Sequence, residues 1–176
     1  MTRSPDDVPA EIHGFSQPDA KPTPWSAGLK EIVAADTFWL STVRRDGRPH
    51  VTPLIAVCHD EAIWFSTGAE ERKAENLAAN PFCILTTGCS DLADGALDVV
   101  LEGKAEQVTA DAELEPVARA FAAKYGTKTW AYTVRDGGFV HQASGGHAIV
   151  FRVRPRRGLG FRKGDSFSQT TWRFDR

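Results

Sequence analysis

Three short segments carry the side chains best suited to chemistry. The first, Phe65-Ser66-Thr67-Gly68, runs into Glu71-Arg72-Lys73-Ala74-Glu75-Asn76. It reads as a strand ending in two hydroxyls and a glycine, then a helix whose opening holds two adjacent cations. A helix N-terminus exposes unpaired amides and the positive end of its dipole. Amides, the hydroxyls of Ser66 and Thr67, and the Arg72-Lys73 pair suit a phosphate. Cations at that end disfavour the helix alone, and a bound anion would compensate them. The same residues also fit a solvated helix face, because Glu70, Glu71 and Glu75 neutralise the same turns.

The second segment is His50-Val51-Thr52-Pro53-Leu54. On a strand His50, Thr52 and Leu54 share one face. Pro53 removes a ladder N–H, which suggests an edge, a bulge or a backbone facing a ligand. Such a strand can offer backbone groups to the polar edge of a planar ring, and it also fits an ordinary edge strand. The third segment is the tail, Phe167 to Phe174, with Trp172 and Arg173. Trp172 suits packing over an aromatic ring, a subunit interface, or the core of a terminal strand.

Composition narrows the classes. Hydrophobic residues make up 41% and charged residues 25% of 176, enough for one domain with a core. A net charge of −2 gives no basic field for nucleic acid. No apolar run reaches the roughly 18–20 residues that cross a bilayer. Met1 to Ala20 is polar with no signal-peptide core, so a cytoplasmic location is expected. Cys58, Cys83 and Cys89 form no C-x-x-C pair and the five histidines are scattered, so buried reduced thiols and no metal site are expected.

The elements that must position these residues follow from periodicity and turn residues. Residues 1–22 read as a flexible leader and 23–176 as one domain. Thr23 is expected to cap a helix that starts at Pro24 and ends near Ala35. Strands are expected at 37–43, 50–57 and 62–67, then a helix over 68–80 and a strand at 82–87. Residues 88–96 read as a loop, and 97–109 as a long strand with a bulge at Glu102-Gly103. Asp111 is expected to cap a helix whose stripe is Leu114, Val117, Ala118, Phe121 and Ala122. Residues 126–146 carry no clear pattern, and strands are expected at 147–153, 158–162 and 170–174. Short hairpin-linked strands with few helices point to a mainly β (α+β) barrel, and no G-x-G-x-x-G follows a strand.

These segments together resemble the pyridoxamine 5′-phosphate oxidase-like split-barrel superfamily, closest to its flavin/deazaflavin oxidoreductases. The resemblance is carried by F-W-L-S-T-V-R-R-D-G-R-P-H-V-T-P-L at 38–54 and I-W-F-S-T-G-x-x-x-R-K-x-x-N-L at 63–77, with N-P at 80–81. It continues in V-L-E-G-K-A-E at 100–106 and G-D-S-F-S-Q-T-T-W-R-F at 164–174. It implies a split β-barrel of Greek-key type, about six antiparallel strands with flanking helices, working as a homodimer with cofactor at the interface. FMN or coenzyme F-420 is the implied cofactor, and hydride transfer with a small organic substrate the implied reaction. His50, Val51, Thr52 and Pro53 would lie along the ring. Ser66, Thr67, Arg72 and Lys73 would hold the phosphate end, supported by Asn76. Trp172 and Arg173 would reach the site, from the other subunit. No side chain need act as acid or nucleophile, so no catalytic residue is implied. The chain departs from true pyridoxamine-phosphate oxidases in the Arg/His pair near their C-terminus, which puts that substrate in doubt. The alternative on the same barrel is a flavin- or haem-binding carrier or stress-related protein without turnover.

Overall fold

The computed structural model describes residues 4–88, 92–127, 130–165 and 167–174. Cys89, and part of the expected 88–96 loop, lie outside them. In chain order the elements are β1 (Ala10–Ile12), α1 (Trp25–Ala34), β2 (Phe38–Val43), β3 (Pro49–Leu54), β4 (Val57–His59), β5 (Ala62–Thr67), α2 (Arg72–Ala79) and β6 (Phe82–Thr86). They continue as β7 (Leu97–Val108), α3 (Asp111–Tyr125), β8 (Tyr132–Arg135), β9 (Gly138–His141), β10 (His147–Arg162) and β11 (Ser168–Arg173). The strands pair antiparallel in the order β1-β11-β10-β7-β6-β2-β3, with β5 on β10, β4 on β5, and the β8–β9 hairpin joined to β10 through β9. This is the expected split-barrel α+β architecture. Among the described residues no helix is long and apolar enough to cross a membrane.

β10 explains the split. One edge of it stays with β7 from Val150 to Arg162; the other pairs with β5 over Ile149–Val153 and with β11 over Arg157–Arg162. The change of partner falls at a register shift between Pro155 and Arg157. An extra residue bends a strand and increases its twist, which lets one strand serve two sheet segments. The expected bulge at Glu102-Gly103 is thus corrected: the extra residue, Arg156, sits on β10 opposite them. The expected strands at 147–153 and 158–162 are one strand for the same reason. Gly103 is required there, since a methyl on it would come within 2.6 Å of Val153 Cγ1.

β5 is buried on both faces. Ile63 and Phe65 enter the barrel core with Phe38, Leu40, Leu85, Leu101 and Val153. Ala62 and Trp64 enter a second core under α3, with Leu114, Val117, Phe121 and Phe139. The stripe expected on α3 is the face that fills this second core, with Leu114, Val117, Ala118 and Phe121 all buried. The unpatterned 126–146 stretch supplies the β8–β9 hairpin that closes it, with Phe139 at 5.9 Å from Phe121.

Two expected caps act otherwise. Thr23 does not cap α1; its N–H donates to Thr170 Oγ1 at 2.9 Å, and Pro24 takes the cap position. Asp111 lies inside α3 and accepts from the Gly137 amide at 3.2 Å, tying the helix to the hairpin. Part of the leader is also built in, for β1 adds to the edge of β11 and the amides of His13 and Gln17 donate to Gln169 and Phe167 carbonyls.

Candidate functional site

The β2–β3 hairpin lies against the start of α2, and polar side chains join them. Phe38, Leu40 and Thr42 alternate inward on β2, so a buried threonine ends an otherwise apolar row. Asn76, also buried, donates from Nδ2 to Thr42 Oγ1 at 2.9 Å. The Thr42 hydroxyl meets the His50 Nδ1 atom and donates to the His50 carbonyl, each at 3.4 Å. Asn76 on α2 thereby fixes His50 on β3 through Thr42. β3 is the sheet edge, as Pro53 suggested, so much of its backbone is unpaired on one side.

Around this chain stand cations. Lys73 is buried and ion-paired with Glu71, while Arg72 is exposed and paired with Glu75. Arg44, just past β2, has a buried Nε with no hydrogen-bond partner. Burial lowers the His50 pKa from 6.5, and the charges of Arg44, Lys73 and Arg72 push it further down. The Gly68 amide donates to Glu71 Oε1 at 3.0 Å, and the Thr67 hydroxyl, which donates to the Gly68 carbonyl at 3.5 Å, helps lower the pKa of that carboxylate. An orphaned guanidinium nitrogen, a buried ammonium, a strand-end amide held only by a side-chain carboxylate and a hydroxyl fit the phosphate of a nucleotide-like cofactor.

The predicted residues divide. Thr67, Lys73 and Asn76 come together with His50, and Arg72 stands within electrostatic reach of it. Ser66 does not join them: neighbours on a strand point to opposite faces, and Ser66 stands by the Tyr132 hydroxyl, whose pKa burial raises and Ser66 in part lowers, on the α3 side. Thr52 follows His50 on the inner face. Val51 and Pro53 face the other way, beside Ser41 and Trp39, on an outer face with exposed Val43, Phe82 and Ile84. A 530 Å³ hollow on that face is lined by Val43, Pro49, Phe82, Ile84, Glu102 and Arg156.

Trp172 needs correction. It is fully buried in its own barrel, edge-on to Trp25 at 5.2 Å, with Nε1 donating to the Thr23 carbonyl at 2.8 Å. A methyl on Gly160 would come within 2.4 Å of its ring, so a remote glycine has been spared to admit it. No part of it is free to cover a cofactor. Arg173 is exposed and pairs with Glu11 at 3.3 Å. Thr42 and Arg44 were missed by the sequence reading, and Glu71 entered it only as a neutralising charge. Thr42 carried a signal, being the polar member of an inward-facing row.

The sequence pattern of pyridoxamine 5′-phosphate oxidase matches residues 27–158, three quarters of the chain and all of the site just described. The chain belongs to this family. A pyridoxine/pyridoxamine 5′-phosphate oxidase of Pseudomonas entomophila is 38% identical over 79 residues, 44% of this chain and 35% of that one. The chain thus matches about a third of the length of that curated relative. Among solved structures, the haem storage protein HutZ of Vibrio cholerae is 26% identical, with a TM-score of 0.57 over 78% of this chain and 94% of that one. An F-420 reductase shares the fold at 19% identity, with a TM-score of 0.53 over 73% of this chain and 93% of that one.

The cations around His50 give a first expected result. A phosphate seated among Arg44, Lys73 and Arg72 offsets their field, so the His50 titration midpoint should move up when FMN is added. Two-dimensional NMR of the imidazole follows it, and an unmoved midpoint with bound FMN would place the anion elsewhere. In the free protein the sign for stability is opposite to that of a paired histidine. The folded state binds fewer protons than the unfolded chain, so His50 costs stability as pH falls through its unfolded value near 6.5.

Proposed function

We propose that the protein is a homodimeric flavin or deazaflavin oxidoreductase moving a hydride to or from a small organic substrate. The observation that carries this is the polar cluster at the start of α2, buried Lys73, Thr67 and the Gly68 amide, together with Arg44, whose Nε has no partner and whose charge reaches His50. FMN or coenzyme F-420 supplies the hydride chemistry when bound. Lys73, Arg72 and Thr67 hold the phosphate end. His50, kept in place by Thr42 and Asn76, stands with Thr52 on the inner face of the edge strand. Val51 and Pro53 contribute through backbone, since their side chains turn outward. Residues 23–176 form the binding domain, to which the 1–22 leader adds β1.

The second copy is assigned to the outer face of β2, β3 and β6. Trp39, Val51 and Phe82 are 44%, 53% and 54% exposed, an apolar grouping that a lone soluble chain rarely shows. Burial holds the Cys83 thiol up at about 12, so it stays protonated and inert. Cys58, also free, is raised by burial too, and the pair suits a reducing cytoplasm.

Likeness to HutZ favours a second reading, a haem carrier on the same barrel. One titration separates the two. FMN, coenzyme F-420 and haem are added to the purified protein while light scattering reports its mass. Saturable quenching by a flavin or deazaflavin on a dimer is the expected result. Tight binding of haem alone would transfer the assignment to the carrier, and a stable monomer would end the dimer proposal.

A further inference from the structure

Glu71 holds the place of a residue that usually caps a helix, yet it caps nothing: it is the N-cap of α2 and makes no side-chain bond to the amides of the first turn. Its carboxylate turns back instead. It accepts from the Gly68 amide and from Lys73, with the Thr67 hydroxyl beside it, and these three are the groups assigned above to the cofactor phosphate. Arg72, the other cation of the pair, is engaged by Glu75 and leaves Glu71 alone. We propose that Glu71 is a resident counter-anion, which neutralises Lys73 in the free protein and must vacate the cradle for a cofactor phosphate to enter. The inference rests on the phosphate assignment of the previous subsection and adds a residue that sets affinity against it.

Two further observations support the exchange. The Lys73 side chain is only 11% exposed, whereas that of Glu71 is 53% exposed. A buried ammonium needs a partner at all times, because an unpaired charge in that position is costly. An exposed carboxylate on a three-torsion side chain can swing into water at little cost. Lys73 is therefore the fixed half of the pair and Glu71 the exchangeable half. The phosphomonoester of FMN brings more charge and more acceptor oxygens than the carboxylate it displaces, so that exchange runs in its favour, while a phosphodiester such as that of coenzyme F-420 matches the carboxylate in charge.

The test compares wild type with Glu71→Gln and Lys73→Ala, using two ligand pairs. FMN is set against riboflavin, and coenzyme F-420 against its phosphate-free deazaflavin alcohol. Dissociation constants come from fluorescence quenching, and melting temperatures confirm that each variant folds. Glutamine keeps the acceptor for the Gly68 amide and removes the competing charge. Glu71→Gln should bind the phosphate-bearing member roughly five- to tenfold more tightly and leave the phosphate-free member unchanged. If wild type prefers the phosphate-bearing ligand, and Lys73→Ala abolishes that preference, while Glu71→Gln fails to tighten it, competition is overturned and the phosphate site stands. If wild type and Lys73→Ala bind both members of each pair alike, the phosphate assignment falls, and the role of Glu71 with it.

Discussion

Replacing Trp172 with alanine is expected to lower folding stability by about 3–5 kcal/mol, the usual cost of truncating a large buried aromatic. The side chain is among the largest that the protein buries completely. It sits against Trp25 and between glycines 28, 158 and 160, where a methyl on any of the three would come within 2.9 Å of its ring. Such a slot cannot collapse, because the glycines have no side chains to fill it. The change also strands the Thr23 carbonyl, which accepts the indole N–H at 2.8 Å. For a chain of this size each kcal/mol moves the melting temperature by roughly 2–4 °C, so the midpoint should fall by on the order of 10 °C. Chemical denaturation measures the loss, and Trp172→Phe, which keeps most of the apolar volume, should recover more than half of it. A loss below about 1 kcal/mol, together with weakened dimerisation or cofactor binding, would return Trp172 to the interface role that its place in the tail suggested.

Trp172 also marks where sequence reasoning stops. Its neighbours are a helix residue near position 28 and two strand residues near 159, more than a hundred positions apart, and no local pattern links them. The stripe on α3 was legible because a helix repeats every 3.6 residues and the buried positions obey that period. The β2–β3 hairpin was legible from its turn and from Pro53 at a sheet edge. Ser66 illustrates a signal present but unused. Two adjacent strand residues cannot serve one ligand with both side chains, so Ser66 and Thr67 had to part. Arg156 shows the converse. A bulge was readable from Gly103, but which strand carries the extra residue depends on the pairing of β7 with β10. Glu71 was weighed only as a charge that neutralises its turn. That it bends back on Gly68 follows from the path of the 68–71 turn, which sequence does not specify.

The second large effect concerns that same turn. Arg72→Ala combined with Lys73→Ala is expected to weaken cofactor binding at least tenfold. Hydrogen bonds to charged groups contribute roughly 1.5–3 kcal/mol each, and tenfold corresponds to about 1.4 kcal/mol. The two cations do not contribute equally. Arg72 is 58% exposed and already engaged by Glu75, so solvent screens its share. Lys73 is nearly buried, where attraction to an anion is less screened, and it should carry most of the loss. The single variants therefore order the site, with Lys73→Ala close to the double variant and Arg72→Ala close to wild type. The fold should survive, because α2 also holds through Leu77 in the core and through Asn76 on Thr42. Removing Lys73 frees Glu71 from its partner and leaves its charge in the cradle, so part of the lost affinity is repulsion. Adding Glu71→Gln to Lys73→Ala should then recover some of the binding, a non-additivity that a double-mutant cycle reads directly. Unchanged affinity in a folded Arg72→Ala/Lys73→Ala protein would remove the phosphate from this end of α2, and with it the role assigned to Lys73, Thr67 and the Gly68 amide.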